Sequence, residues 1–168
     1  MTRIMTGNLS RTILVRAEEL GTKLRQRGWH VGTAESCTGG LVSAAFTDVS
    51  GASDWFWGTI VSYANEVKMG VLGVSEQTMI DHGAVSEPVV MQMAEGACKT
   101  LGVDLAVSLS GIAGPTGGTA DKPVGTVWIG THSPDGTVAK CFHFDGDRTS
   151  VRQQSVLAAI DMLHSCLK

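Results

Sequence analysis

Three residues of this chain have the right types and setting for nucleophilic chemistry. Ser36 lies in a glycine-rich segment directly before a predicted helix, Tyr63 ends a predicted strand, and Lys68 lies in the first turn of the next helix. A neutral lysine can take the proton of a serine hydroxyl, but a free lysine is protonated at pH 7. Burial or a neighbouring cation such as Arg148 would have to lower the pKa of Lys68 by several units. Tyr63 could relay the proton or donate to a substrate. In the alternative interpretation, Ser36 only caps the helix and Lys68 is solvated.

The segment around Ser36 offers further chemistry. The backbone N–H groups of Thr38, Gly39 and Gly40 open a predicted helix and could bind an anion or a developing oxyanion. Cys37 is a rival nucleophile because thiols at helix N-termini are activated, although we favour its interpretation as a small buried side chain. No G-x-S-x-G elbow surrounds Ser36, and no histidine is placed to complete a Ser-His-Asp triad.

A second glycine-rich segment, residues 111–118, could cradle a phosphate with its backbone amides. It contains neither a Walker loop nor a G-x-G-x-x-G pattern, and a flexible turn is the alternative. Arg148 could bind a phosphate or carboxylate through both arms of its guanidinium. The candidate substrate-binding residues are therefore Thr38, Gly39, Gly40, Gly111, Gly114, Thr116, Gly117, Gly118 and Arg148.

Composition excludes several classes of protein. The 168 residues are 43% hydrophobic and 17% charged, with a net charge of −3, which argues against nucleic acid or an anionic membrane as the main partner. No run of roughly 18 apolar residues occurs, and the first ten residues lack the apolar stretch of a secretory signal. Four scattered cysteines without a C-x-x-C pair indicate reduced thiols, so we expect a cytoplasmic protein. Five histidines without ligand spacing predict no metal site.

Hydrophobic periodicity predicts the elements that must position these residues. Helices are predicted over residues 9–24 (ended by Gly28), 41–46, 66–72 (capped by Asn65), 87–101 and 150–166, and strands over residues 29–34, 59–63, 105–110, 124–130 and 137–144. Strands that alternate with helices indicate a parallel sheet covered on both faces, and the closing hairpin makes that sheet mixed. We predict one three-layer α/β/α domain over residues 1–168, with a five-stranded, mostly parallel sheet and a loose tail at 1–8.

The predicted sheet brings the polar segments together. Ligands of such sheets bind outside the carboxyl ends of the strands, where the segments 35–40, 63–68 and 110–118 fall. If the fourth strand is antiparallel, the fifth is parallel again and adds residues 146–148 to the same edge. The neighbouring aromatic residues 55–57 could wall a ring-shaped substrate or form a contact in a homodimer, with core packing an alternative of at least equal weight.

Five ordered motifs carry a resemblance to a known family. They are Ala34–Gly40 (AESCTGG), Ser62–Lys68 (SYANEVK) with Leu72–Val74, Ser110–Gly118 (SGIAGPTGG), Lys122–Val127 (KPVGTV) and Gly146–Arg148 (GDR). This arrangement resembles the CinA C-terminal domain family, whose active members are nicotinamide-nucleotide amidases of the PncC type. The resemblance covers about residues 10–165.

The resemblance implies a fold, an activity and a site. The fold would be the mixed five-stranded α/β arrangement of anticodon-binding-like domains. The activity would be hydrolysis of nicotinamide mononucleotide to nicotinate mononucleotide and ammonia, without a metal or other cofactor. The motif serine falls on Ser36 and the motif lysine on Lys68, with Tyr63 in the same motif. A catalytically silent domain that binds a nucleotide or a protein, and an amidase for a different amide, are the alternatives.

Overall fold

Five strands form the central sheet: β1 (Val31–Glu35), β2 (Phe56–Val61), β3 (Leu105–Gly111), β4 (Thr126–Ser133) and β5 (Gly136–His143). In this computed structural model, which describes the backbone of residues 2–168 and the side chains from residue 7, the strands lie in the order β2-β1-β3-β4-β5. β1 is parallel to β2 and β3, β4 is antiparallel to β3, and β5 is antiparallel to β4. β5 therefore runs in the direction of β1, and its carboxyl end lies at the same edge.

Within residues 2–168, six α-helices accompany the sheet: α1 (Thr2–Arg27), α2 (Leu41–Thr47), α3 (Asn65–Gly70), α4 (Glu76–His82), α5 (Glu87–Leu101) and α6 (Arg148–Ser165). α1, α2 and α6 cover one face of the sheet with one apolar cluster, and α5 covers the other face with a second. β1 is buried along its whole length because it is flanked by two strands and covered on both faces. The predicted α/β fold with a mixed five-stranded sheet is confirmed.

Local signals explain most of the element boundaries. Ala17, Leu20 and Leu24 repeat at helical spacing and are fully buried, which seats α1 on the core. α5 has the predicted bounds, and Gly102 ends it with a φ of 68°. The tail predicted at residues 1–8 is helical from Thr2 onward, and Met1 lies outside the described residues.

Other boundaries differ from the predictions. β2 begins at Phe56 rather than Thr59, because a register irregularity accommodates Trp57 between two paired positions. Ala64, not Asn65, occupies the cap position of α3, without a side-chain cap. α4 was not predicted, since its seven residues bury no side chain and so show little apolar periodicity.

Candidate active site

The carboxyl edge of the sheet brings together the segments that the sequence singled out. The Ser36 N–H donates to Leu109 O at 3.1 Å, and the Ser62 N–H donates to Glu35 O at 2.9 Å. These bonds extend the pairing of β1 with β3 and β2 past the ends of the strands. Arg148 Nη1 donates to Gly114 O at 2.8 Å, which adds the start of α6 and the loop 111–118 to the same edge.

Lys68 is a buried amine. Its side chain is only 1% exposed, and its Nζ donates to Ser62 O at 2.8 Å and to Tyr63 O at 3.1 Å. Burial lowers the pKa of Lys68 from its ordinary value of 10.5, against opposing effects of Cys37 and Glu66. The interpretation of Lys68 as a solvated residue is therefore wrong. Arg148 is not among the groups that shift this pKa, so burial takes the role expected of a neighbouring cation.

The two carbonyl contacts also orient the amine. A neutral amine has two hydrogens and one lone pair, and the two carbonyls accept two hydrogens. Its lone pair is then directed away from them and is free to accept a proton. The Ser62 carbonyl accepts one of these hydrogen bonds, and the Ser62 N–H donates to the carbonyl of Glu35, the residue before Ser36. A single residue thus links the Lys68 amine to the strand end from which the serine loop begins.

Ser36 and Cys37 lie side by side but differ in chemical setting. Ser36 does not cap α2, because Gly40 holds the cap position and no side chain at that position caps the helix. The Cys37 thiol is 7% exposed, and burial raises its pKa to about 11, while its own amide is the strongest opposing influence. A thiol with that pKa is almost entirely protonated at neutral pH and is a weak nucleophile. Cys37 therefore fits its interpretation as a small buried side chain.

The amides of the serine loop are only partly available to a ligand. The Gly39 N–H donates to Ser36 O at 3.1 Å, and the Gly40 N–H donates to a Glu35 carboxylate oxygen at 3.2 Å. Both amides therefore already have acceptors within the protein, and their binding of a substrate anion stays a prediction. Among the residues that the structure describes, the Cys37 and Thr38 N–H groups donate to no protein oxygen, and both lie close enough to the Cys37 sulfur to oppose the rise in its pKa. These two are the amides that a developing oxyanion could use.

Arg152 belongs to this site, and sequence analysis did not identify it. Its Nε donates to Cys37 O at 3.0 Å and its Nη2 to Thr38 O at 3.1 Å, so a guanidinium of α6 holds the loop after Ser36. It lies four residues after Arg148, and helical residues at that spacing share a face. This spacing, with Arg148 already a candidate, was the signal available in the sequence.

The loop 111–118 and Arg148 enclose a groove of about 490 Å³, lined by Ala113, Pro115, Val124, Gly146, Asp147, Arg148 and Thr149. Gly114 packs so closely on Val124 that a Cβ at position 114 would clash with the Val124 Cγ1. The N–H groups of Gly114, Thr116, Gly117 and Gly118 donate to no acceptor within the described part of the chain. Free amides beside an exposed guanidinium form a setting that suits an anion.

Two hydroxyls beside these loops are buried without a partner. Thr38 Oγ1 and Ser62 Oγ are shielded from solvent and form no hydrogen bond within the described residues.

Gly111, which ends β3, packs against Val127 and leaves no room for a side chain. Its role here is close packing.

The aromatic residues near the edge have different surroundings. Tyr63 is 65% exposed, so its phenol is free to meet a substrate, while its carbonyl binds Lys68. Trp55 is fully buried in the core, and Phe56 is half-buried. Trp57 is 53% exposed, and its ring lies against that of His30, with centroids 4.1 Å apart and planes tilted by 32°. Core packing thus explains Trp55, whereas Trp57 remains a surface residue.

The described residues contain no cluster of three His, Cys, Asp or Glu side chains arranged to hold a metal ion. None of their helices is long and apolar enough to cross a membrane. A larger groove, of about 900 Å³ between β5 and α6, contains none of the candidate residues.

Comparison with known sequences gives consistent results. The CinA C-terminal domain model matches residues 15–167. The nicotinamide-nucleotide amidohydrolase PncC of Enterobacter agglomerans is 51% identical over 151 residues, covering 89% of this chain and 90% of that protein. Its counterpart in Escherichia coli K12 is 50% identical over 150 residues, covering 88% and 90%. A CinA-like protein of Syntrophobacter fumaroxidans is 48% identical, but the match spans only 34% of its length.

Solved structures show the same fold. A competence/damage inducible protein of Agrobacterium tumefaciens superposes with a TM-score of 0.91 at 38% identity, covering 94% of this chain and 96% of that one. A CinA superfamily protein of Escherichia coli superposes with a TM-score of 0.88 at 31% identity, covering 92% and 90%.

Proposed function

Because the chain belongs to the CinA C-terminal domain family, as its motifs predicted, we propose that it is a nicotinamide-nucleotide amidohydrolase. The reaction is hydrolysis of nicotinamide mononucleotide to nicotinate mononucleotide and ammonia. Two relatives that carry this name are half identical to the chain over nearly its whole length. The observation that carries the proposal is the buried Lys68 amine, whose pKa is lowered and whose hydrogens face two carbonyls beside the Ser36 loop.

The proposed mechanism proceeds through an acyl-enzyme. Ser36 Oγ attacks the carboxamide carbon while Lys68 Nζ takes the hydroxyl proton. The C–N bond of the tetrahedral intermediate then breaks, and Lys68 returns the proton to the leaving nitrogen, which departs as ammonia. A water molecule, deprotonated by Lys68, attacks the ester, and Ser36 regains its proton as the acid leaves. Tyr63 either relays a proton or donates to the substrate.

The remaining groups bind the substrate. The Cys37 and Thr38 amides stabilise the oxyanion, and removal of one such donor typically costs about 10²–10³ in rate. Arg148 and the free amides of the loop 111–118 hold the 5′-phosphate, since Arg148 lines a groove with Ala113 and Pro115 of that loop and donates to Gly114 O. No metal takes part in these steps. We further propose that the protein acts in the cytoplasm as a homodimer, to which the exposed Trp57 offers an apolar contact.

A substrate panel tests this function. Ammonia release is measured from nicotinamide mononucleotide, nicotinamide riboside and nicotinamide, in the presence of EDTA. We expect the mononucleotide to have the highest kcat/KM, by at least about tenfold, because only it offers a phosphate to Arg148. Release from another amide alone would replace the substrate. No release from any of them would favour a silent binding domain.

A further inference from the structure

We propose that Glu35 is a positioning residue whose buried carboxylate clamps the start of α2 and thereby fixes the loop that carries Ser36. The inference rests on the proposed function, because it assigns Glu35 to the geometry of that reaction. Glu35 ends β1 and directly precedes Ser36 in the chain. Its side chain is fully buried, which is unusual for a carboxylate and requires compensation.

The loop side of the clamp consists of backbone amides. Glu35 Oε1 accepts hydrogen bonds from the N–H groups of Gly40 at 3.2 Å and Val42 at 2.9 Å, and Oε2 accepts one from the Ser43 N–H at 3.0 Å. Amides at the start of a helix lack intrahelical partners and carry partial positive charge, which a carboxylate satisfies. Glu35 thus caps α2 from the end of the preceding strand.

The sheet side of the clamp consists of two hydroxyls. Thr33 Oγ1 and Thr59 Oγ1 lie 3.1 and 3.3 Å from Glu35 Oε2, and 2.6 Å from each other. Each hydroxyl has one hydrogen, so one of them donates to the carboxylate while the other donates to its neighbour. Within residues 7–168 no cation forms an ion pair with Glu35. Neutral donors alone therefore compensate its charge.

The clamp closes a short loop around the proposed nucleophile. Residues 36–39 lie between the Glu35 backbone, which is fixed in the sheet, and the Gly40 amide, which its carboxylate holds. A shift of α2 away from β1 would move Ser36 Oγ relative to Lys68 Nζ. Misplacement of reacting groups by about 1 Å can cost about 10²-fold in rate. The same bonds engage the amides of Gly40, Val42 and Ser43, which leaves those of Cys37 and Thr38 for the substrate.

Glu35→Gln tests the clamp. The glutamine carbonyl can still accept from Gly40 and Val42, but its NH₂ group would face the Ser43 N–H, so two donors would oppose each other. We expect kcat for ammonia release to fall at least about tenfold with KM within about threefold, because the substrate contacts remain. Amide hydrogen exchange of residues 37–43 should become at least about tenfold faster. Glu35→Asp, which keeps the charge but is one methylene shorter, should show the same pattern if Glu35→Gln does not fold.

Glu95→Gln is the matched control, because it makes the same change at an exposed carboxylate that accepts from Thr137 and lies outside the clamp. We expect kcat within about threefold of wild type and unchanged exchange at 37–43. The proposal is overturned if Glu35→Gln keeps kcat within about threefold, or if Glu95→Gln loses as much kcat as Glu35→Gln. If the wild type releases no ammonia, the proposed function fails and the exchange rates at 37–43 alone decide. Faster exchange in Glu35→Gln than in Glu95→Gln then supports the clamp, and equal exchange overturns it.

Discussion

Lys68 is the side chain whose protonation state controls the proposed reaction. An amine held by two carbonyls and shielded from water loses its proton at lower pH than a free lysine, because burial disfavours the charged form. Only the neutral amine can accept the serine proton. The pH at which activity appears therefore reports the environment of this one group.

We predict that kcat rises with pH to a plateau, with its inflection below the ordinary lysine value of 10.5. Steady-state ammonia release measured from roughly pH 6 to 10 checks this limb. Lys68→Arg is the matched variant, because a guanidinium stays protonated throughout that range, and we expect it to be inactive at every pH. An active Lys68→Arg enzyme would remove Lys68 from the role of base.

At the level of secondary structure, the first turns of α6 link two loops of the site. Arg148 bonds Gly114 O in the loop 111–118, and Arg152 bonds two carbonyls of the serine loop. The two arginines serve different loops, so their loss should have different kinetic effects. Arg148 faces the groove proposed for the phosphate, whereas Arg152 holds the backbone beside Ser36.

We predict that Arg148→Ala raises KM for nicotinamide mononucleotide at least about tenfold, because a charge-assisted contact to the phosphate is lost. The riboside has no phosphate and serves as the internal control. Its kcat/KM should change by less than about threefold in the same variant. Equal losses for both substrates would show that Arg148 acts through the loop 111–118 and not through the phosphate.

The elements and their order could be predicted from the sequence because local patterns encode them. Three local patterns predicted the layers and the common edge of the sheet. They are the apolar face of α5, the glycine that ends this helix, and the alternation of strands with helices. The contacts of Arg152 and the Glu35 clamp could not be predicted in this way, although the spacing of Arg152 from Arg148 indicated a shared helix face. Arg152 contacts residues more than 110 positions away, and the donors to Glu35 are backbone amides, which have no sequence signature. Residue spacing also does not reveal that the Gly39 and Gly40 amides donate to acceptors within the protein.

At the scale of the whole molecule, each of the two apolar layers contains a thiol whose ionisation is disfavoured by burial. Cys98 of α5 lies in the second layer, and burial raises its pKa from 9.0 to about 12. The folded state therefore keeps a proton that the unfolded state loses above pH 9. Its contribution to stability is fully present below pH 9 and declines as pH rises toward 12. Cys37 of the first layer acts in the same direction.

We predict that the free energy of unfolding falls as pH rises from 9.0, the ordinary thiol value, and that Cys98→Ala makes this fall shallower. Urea denaturation at neutral pH and at several alkaline values checks the slope. The variant should be less stable than wild type at neutral pH because it loses buried sulfur contacts. An identical slope in both proteins would mean that Cys98 ionises as easily in the folded state as in the unfolded one.

The central claim is that the Ser36 hydroxyl attacks the amide, and Ser36→Ala beside Cys37→Ala tests it most directly. The measurement is the initial rate of ammonia release from nicotinamide mononucleotide by each purified, folded variant. We predict a loss on the order of 10³-fold or more in Ser36→Ala and a change of less than about tenfold in Cys37→Ala. An active Ser36→Ala enzyme together with an inactive Cys37→Ala enzyme would contradict the claim and assign the attack to the thiol.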